Sequence, residues 1–381
     1  MLILRKPTTS EMRVSSSARR LGLFLSCFVS RTLASAVPRT THHMVTKNPM
    51  MASAAISIDL NLSQSQSLFL IDFGAVFLQR KGDAKARRLL RDESVDIDDY
   101  LRVYPHPKRF NVDGIDWGLR VIHQTSDYII INKPAMVPSN PTTDNAYENV
   151  VECFKRHMNL PVLYLPHRLD LETSGLMVLG KTKDFTAHVS LQFKARKVDK
   201  RYRALIATSH ENALPYRPNQ MLVHFMEPST TSPRVFMNEP PGIECRSTIV
   251  SASRVVSKSA SAWADWSSSA LHVSEEHRRL RHAMKRWLTE IQPETRVAFC
   301  SIELCLLSGR THQCRGQLSS GDWHIAGDNM YPGCTSCSLE DATRVSEHLA
   351  LQSSHLSFYE SGSKATFELN EFWWEPIFTS K

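Results

Sequence analysis

Two periods of hydrophobic spacing run through this chain, and each marks a kind of element. Residues 120–124 and 128–132 are short β-rich runs around Thr125-Ser126-Asp127, which predicts a hairpin ending at Lys133-Pro134. Val150, Val151, Phe154 and Met158 fall on one helical stripe, with Asp144 placed to cap it. The apolar run at 175–181 reads as a buried strand, and Phe185, Val189 and Phe193 step by four along a second helix. As a strand, residues 200–206 put Tyr202, Ala204 and Ile206 on one face and Arg201, Arg203 and Leu205 on the other. Strand patterns return at 355–358 and 365–369, and Phe372-Trp373-Trp374 is expected to pack against the body.

The flanking segments are less regular. Residues 68–78 form an apolar segment punctuated by Gly74, followed by a turn at 80–83. A basic run (Lys85, Arg87, Arg88, Arg91), an acidic stretch at 92–99 and a strand-like 100–103 complete a small unit. Pro105, Pro107 and Lys108-Arg109 then read as its linker. Between 208 and 298 the pattern loosens: 218–243 is loop-rich around a short apolar run at 221–226, and 245–256 reads as a strand pair. The Ser/Ala/Trp-biased 257–269 reads as a flexible excursion. A helix from Ser274 carries Leu280, Met284, Trp287, Leu288 and Ile291 on one stripe. Its other face holds Arg278, Arg279, Arg281, Lys285 and Arg286, which could follow phosphates or simply meet water.

Composition adds one constraint. With 42% hydrophobic and 22% charged residues over 381 positions, the chain has the make-up of a globular protein. Its formal charge of +8 invites a nucleic-acid reading, but the distribution removes most of the force. Eight basic residues precede position 59 against Glu11 alone, leaving 38 bases against 37 acids in the remainder. The body is nearly neutral, so any RNA affinity must come from local patches.

Residues 1–58, rich in Ser, Thr and Arg, are expected to target a mitochondrion or plastid. The apolar 21–30 ahead of Ala34-Ser35-Ala36 offers a rival secretory-type reading, and a cytoplasmic or nuclear protein is the alternative. No stretch is long and apolar enough to span a membrane. Eight scattered cysteines imply free thiols, and the lone CxxC at Cys334 and Cys337 lacks the second pair a zinc site would want.

Candidate chemistry centres on residues 167–176, His-Arg-Leu-Asp-Leu-Glu-Thr-Ser-Gly-Leu. An Asp in a loop is commonly a turn residue bonding its own backbone. Two later stretches, KRYRAL at 200–205 and GRTHQCR at 309–315 followed by GDNMY at 327–331, change that balance. Together the three motifs resemble those of RluA-type pseudouridine synthases, across roughly residues 117–207 and 298–360. The departures are Cys314 in place of an aliphatic residue, Gly316 in place of a larger one, Gln317 where many members have His, and the approach through Asp322-Trp323-His324.

The resemblance implies an α+β pseudouridine synthase fold: a mixed, largely antiparallel curved sheet with flanking helices. A small degenerate RNA-binding module at 60–110 would precede a catalytic domain at 111–381 with a diverged insertion near 255–297. It implies isomerisation of uridine to pseudouridine in rRNA or tRNA by a monomer that uses no cofactor and no metal. Asp170 matches the nucleophile, Tyr202 the residue that packs on the uracil and assists proton removal, and Arg315 the basic partner of Asp170. Arg168 matches the arginine that fills the gap left by the flipped nucleotide. His167, Arg310, His312 and Gln313 are placed with it as RNA contacts, and neither histidine is given acid–base work. Two other readings remain: a catalytically silent RNA-binding protein, and a nucleosidase, which would need a second carboxylate near Asp170, where Glu172 is the neighbour.

Overall fold

The computed structural model describes residues 41–208, 216–229, 231–263, 292–321, 323–331 and 349–374, together with Leu280, Met284 and Leu288. The N-terminal residues 1–40, the CxxC at 334–337 and the basic face expected at 278–286 lie outside the described residues.

Described strands and helices precede the boundary expected near residue 58. Strand β1 (His42–Val45) is followed by β2 (Met50–Met51) and helices α1 (Ala52–Leu60) and α2 (Gln64–Asp72). Then come β3 (Val76–Gln79), β4 (Arg87–Leu89), β5 (Ser94–Val95) and β6 (Tyr100–Val103). Because β1 pairs with β6, the small unit includes residues that composition had assigned to a targeting segment. Its sheet runs β1-β6-β3-β4, all antiparallel, over a core of Ile56, Ile71, Val76, Leu78, Leu101 and Val103. Ser63 and Gln66 close a capping box at the start of α2.

The basic residues of this unit are largely committed within the protein. Arg80 bonds buried Asp99 at 2.7 Å, and Arg87 bonds Glu93 at 2.7 Å. Arg102 stacks over Phe77, and Arg88 donates to the carbonyls of Gly74 and Thr142. Gly74 is needed where the unit meets the rest of the chain: its φ is +76° and an added Cβ would lie 2.5 Å from that of Ala146. The Ala146 N–H donates to the Phe73 carbonyl at 3.0 Å, and Arg109 clasps Glu148 at 2.5 Å, so the unit is docked against residues 142–148.

Among the described residues the main sheet has eleven strands. Its hairpin is β7 (Val121–Gln124) and β8 (Tyr128–Lys133), followed by α3 (Val150–His157), β9 (Ser174–Gly180), α4 (Lys183–Lys194) and β10 (Asp199–Thr208). Then come β11 (Met221–Met226), β12 (Phe236–Met237), β13 (Ile243–Ser259), β14 (Arg296–Leu306), α5 (Gln313–Ser319), β15 (His324–Ile325), β16 (Leu351–Glu360) and β17 (Ser363–Glu368). The order is β12-β11-β13-β14-β10-β16-β9-β8-β7, with β15 on β10 and β17 on β16. Among the described residues β16–β9 is the parallel pair and the others are antiparallel. This is the expected α+β, largely antiparallel architecture.

Alternation along β8 and β9 explains their unbroken apolar sequences. Ile129, Ile131, Met177 and Leu179 face one core with Val150 and Phe154 of α3. Tyr128, Ile130, Leu176 and Val178 face the other with Phe185 and Val189 of α4. Helices cover both faces, so neither face keeps polar positions.

Three local expectations need correcting. Asn149, not Asp144, caps α3, accepting the Glu152 N–H at 3.1 Å; Asp144 instead accepts the Lys108 N–H. Residues 245–256 are not a strand pair but part of one long strand, β13, bulged near Ile249/Ser251 and Arg254/Val256. The expected excursion at 257–269 begins as the end of β13, and Trp263 is buried on Phe299. Leu280, Met284 and Leu288 are helical and buried in the main core, as their spacing predicted.

Candidate active site

Asp170 lies on the loop that leads into β9, and the loop is tied from beneath. Lys133, fully buried at the end of β8, donates from Nζ to the carbonyls of Pro134, Leu171 and Thr173 at 3.0, 3.1 and 2.9 Å. Burial pushes this ammonium down to about 7, against the opposing pull of Asp170 and Glu172. Ser139 holds the other side, donating to the Leu169 carbonyl and accepting its N–H. Gly175 closes the loop with φ +107°, where an added Cβ would lie 2.3 Å from the Ser353 carbonyl oxygen. Only glycine lets β9 start this close to β16. Sequence reasoning treated Lys133-Pro134 as a mere hairpin end. The missed signal was a lysine closing an otherwise apolar strand.

A cavity of about 510 Å3 opens above this loop. Asp170, Tyr202 and Arg315 all line it, as do Arg168, His167, Arg310, His312 and Gln313, so the predicted residues do converge. Their individual roles differ from expectation in several cases. Arg168 and Arg310 are exposed at the rim, free to reach a ligand. His167 is spent on structure: its Nε2 accepts the Val178 N–H at 3.1 Å and its ring stacks on Phe193 at 4.5 Å. Burial, with a smaller push from Lys200, lowers its pKa to about 3, so it is neutral. Gln313 is buried; its side chain accepts from Ser308 and the Arg310 N–H and donates to the Arg246 carbonyl and Gln317. It braces the motif and has no group left over for RNA.

His312 sits in the left-handed region at φ +57°, which turns its backbone N–H onto Asp170 Oδ2 at 3.3 Å. Its ring meets Tyr331, with Nδ1 3.2 Å from the hydroxyl, and burial lowers its pKa despite the nearby Asp170. Tyr202 faces the cavity from β10. Burial drives its hydroxyl far above the ordinary value, helped by Cys314 and Asp170, so the phenol is protonated at any working pH. Cys314 is similarly pushed up to about 12 by burial and fills space as a small apolar residue.

Arg315 departs most from the expected pairing. Its side chain is wholly buried, and Nε and Nη2 bond the two oxygens of Asp328 at 2.8 and 2.6 Å. Glu172 stands 3.4 Å from Nη1. Asp170, the expected partner, acts on the guanidinium through its field, after Asp328 and Glu172. Burial opposes the charge, yet these carboxylates keep it firmly protonated. Asp328 also accepts the N–H groups of Met330 and Tyr331 at 3.0 and 3.1 Å, which folds the GDNMY segment around the pair. Glu172 is thus turned inward onto Arg315 and is not a second acid facing the cavity. The departure at Gly316 has a packing reason: an added Cβ would lie 2.0 Å from Phe236, which crosses α5 from β12.

Among the described residues no group of three or more His, Cys, Asp or Glu is arranged to hold a metal ion, and no helix is long and apolar enough to cross a membrane. The five cysteines described are free.

A family model for RNA pseudouridylate synthase matches residues 127–320, about half of the chain, and spans the first two motifs and the GRTHQCR part of the third, stopping short of GDNMY. This chain belongs to that family. It is 26% identical over 338 residues to RNA pseudouridine synthase 6, chloroplastic, of Arabidopsis thaliana, covering 77% of this chain and 66% of that protein. It is 31% identical over 241 residues to the protein of the same name from Oryza sativa subsp. japonica, covering 61% of this chain and 44% of that one. The chain therefore spans less than two thirds of the length of either relative. Human RNA Pseudouridylate Synthase Domain Containing 4 aligns with a TM-score of 0.43 at 18% identity, over 67% of this chain and 89% of that one.

Proposed function

We propose that this synthase-family chain isomerises uridine to pseudouridine in rRNA or tRNA, with Asp170 as the nucleophile. The observation that carries the reading is the position of Asp170: it edges a cavity large enough for one nucleotide, faced by the protonated Tyr202, above a fully buried Arg315–Asp328 pair. The target atoms are shielded inside a stacked helix, so the uridine must leave the stack at a cost of about a few kcal/mol. Asp170 attacks the ribose or the base, and the N1–C1′ bond breaks. The uracil turns, C5 bonds C1′, the bond to Asp170 is released to restore the carboxylate, and C5 loses a proton while N1 gains one. Tyr202, held neutral, offers the uracil an aromatic plane and a hydroxyl donor. Arg315, bound to Asp328 and close to Glu172, braces the floor of the site beside Asp170. Arg168 at the rim can stack on the neighbouring bases and fill the vacated position.

A plastid or mitochondrion is the proposed compartment, on the composition of residues 1–58 and the plastid names of the two plant relatives. The activity is tested by mapping pseudouridine in organellar RNA from cells carrying the wild-type chain or an Asp170→Asn variant. Sites that vanish with the variant while its RNA affinity persists support the reading. Sites equal in both would return the chain to the silent RNA-binding alternative.

A further inference from the structure

Among the cations that line the site cavity, Lys200 is one that the mechanism above does not use. Lys200 and Tyr202 alternate with Asp199 and Arg201 along β10, so Lys200 shares the Asp170 side of the strand. Its ammonium lies over the Phe193 ring at 5.6 Å, on the flank of the cavity that also carries His167 and Gly309. Among the described residues it has no hydrogen-bond acceptor and no acidic partner, whereas neighbouring Arg201 is paired with Asp199 at 3.2 Å. Burial lowers its pKa, offset only by two thiols, Cys314 and Cys305. A half-buried ammonium without a counter-charge is costly unless an anion arrives with the ligand. Beside it lies a second cavity, also about 510 Å3, and the two share Arg196, Val198, Leu306 and Leu307 in their linings as a common lip. Arg196 is exposed on that lip.

We propose that Lys200 grips the backbone phosphate adjoining the flipped nucleotide, and that the RNA strand leaves over the Arg196 lip toward the second cavity. The proposal rests on the RNA-directed reading of the Asp170 site and adds the direction in which the strand runs. A phosphate supplies the counter-charge that the protein withholds, and the Phe193 ring fixes the ammonium for it. Each phosphate so neutralised makes binding to single-stranded RNA depend on salt, with a slope of about 0.7 in log affinity per log salt.

The test is a fluorescence-anisotropy titration of the full chain with a labelled 20-nucleotide oligouridylate at several salt concentrations. Lys200→Met is expected to weaken binding about three- to tenfold and to lower the salt slope by about 0.7; Arg196→Gln is expected to lower it similarly. Lys200→Arg should restore both affinity and slope, which a purely packing role for the lysine would not require. An unchanged slope for Lys200→Met, or no measurable binding by the wild-type chain, overturns the proposal. Pseudouridine formation is assayed separately on organellar RNA. A wild-type chain that binds with the expected slope but forms no pseudouridine defeats the catalytic reading and leaves the phosphate grip standing.

Discussion

Replacing Arg315 by Met keeps the side-chain length and removes the guanidinium, which isolates the buried charge. The wild-type side chain makes two short bonds to Asp328, whose own side chain is 1% exposed, and stands close to Glu172, which is 5% exposed. Removing one partner of a buried pair leaves an uncompensated charge and costs about 3–5 kcal/mol. Here two buried carboxylates are stranded, so the upper part of that range is expected at neutral pH. The sign of the pH dependence follows from Asp328. In the wild type, burial pushes its pKa up, but Arg315 and the N–H groups of Tyr331 and Met330 outweigh that and hold it below the usual 3.8. Its stabilisation is therefore complete above the ordinary carboxylate range and is lost only as pH falls through the lower folded value. In Arg315→Met the burial effect is unopposed by the cation, so the folded state takes up a proton before the unfolded state does. Stability of the variant then rises as pH falls toward 5.5, by up to about 1.4 kcal/mol per pH unit across the titration. Urea unfolding of both proteins at pH 7.5 and 5.5 measures this. Adding Asp328→Asn to the variant should recover part of the loss at pH 7.5. A gap below about 1 kcal/mol at pH 7.5, or one that stays constant between the two pH values, would refute the reasoning.

Gly175→Ala should cost more than about 3 kcal/mol, because a positive φ and a backbone clash with Ser353 coincide; a urea midpoint close to wild type would contradict that geometry. His167 should make folding sensitive to acid. Its folded pKa of about 3 lies below the ordinary 6.5, so its contribution is full above pH 6.5 and lost as pH falls toward 3. His167→Gln keeps an acceptor for the Val178 N–H and cannot titrate, so the drop in Tm between pH 7 and pH 4.5 should be smaller for the variant than for the wild type. Equal drops would show that the imidazole charges freely in the folded state.

The sequence by itself determined most of the elements and the neighbourhood of Asp170. Period two and period four placed β7 to β10 and both helices α3 and α4, because burial on alternate faces or along one stripe imprints directly on residue order. Composition misread the N-terminal boundary: the short strand β1 carries too few apolar residues to announce itself, and only its pairing with β6 reveals it. The convergence of Asp170, Tyr202 and Arg315 on one cavity was legible from three motifs in order. Which atoms pair within the site was decided only in three dimensions. Arg315 turns to Asp328 and Glu172, Lys133 ties the Asp170 loop from below, and His167 and Gln313 spend their polar groups on the protein's own backbone. A motif records which charged and polar residues a site contains. Their partners depend on distances of a few ångströms, set by where the loop at 169–173, the start of α5 and the 327–331 turn are brought together by strands far apart in the chain.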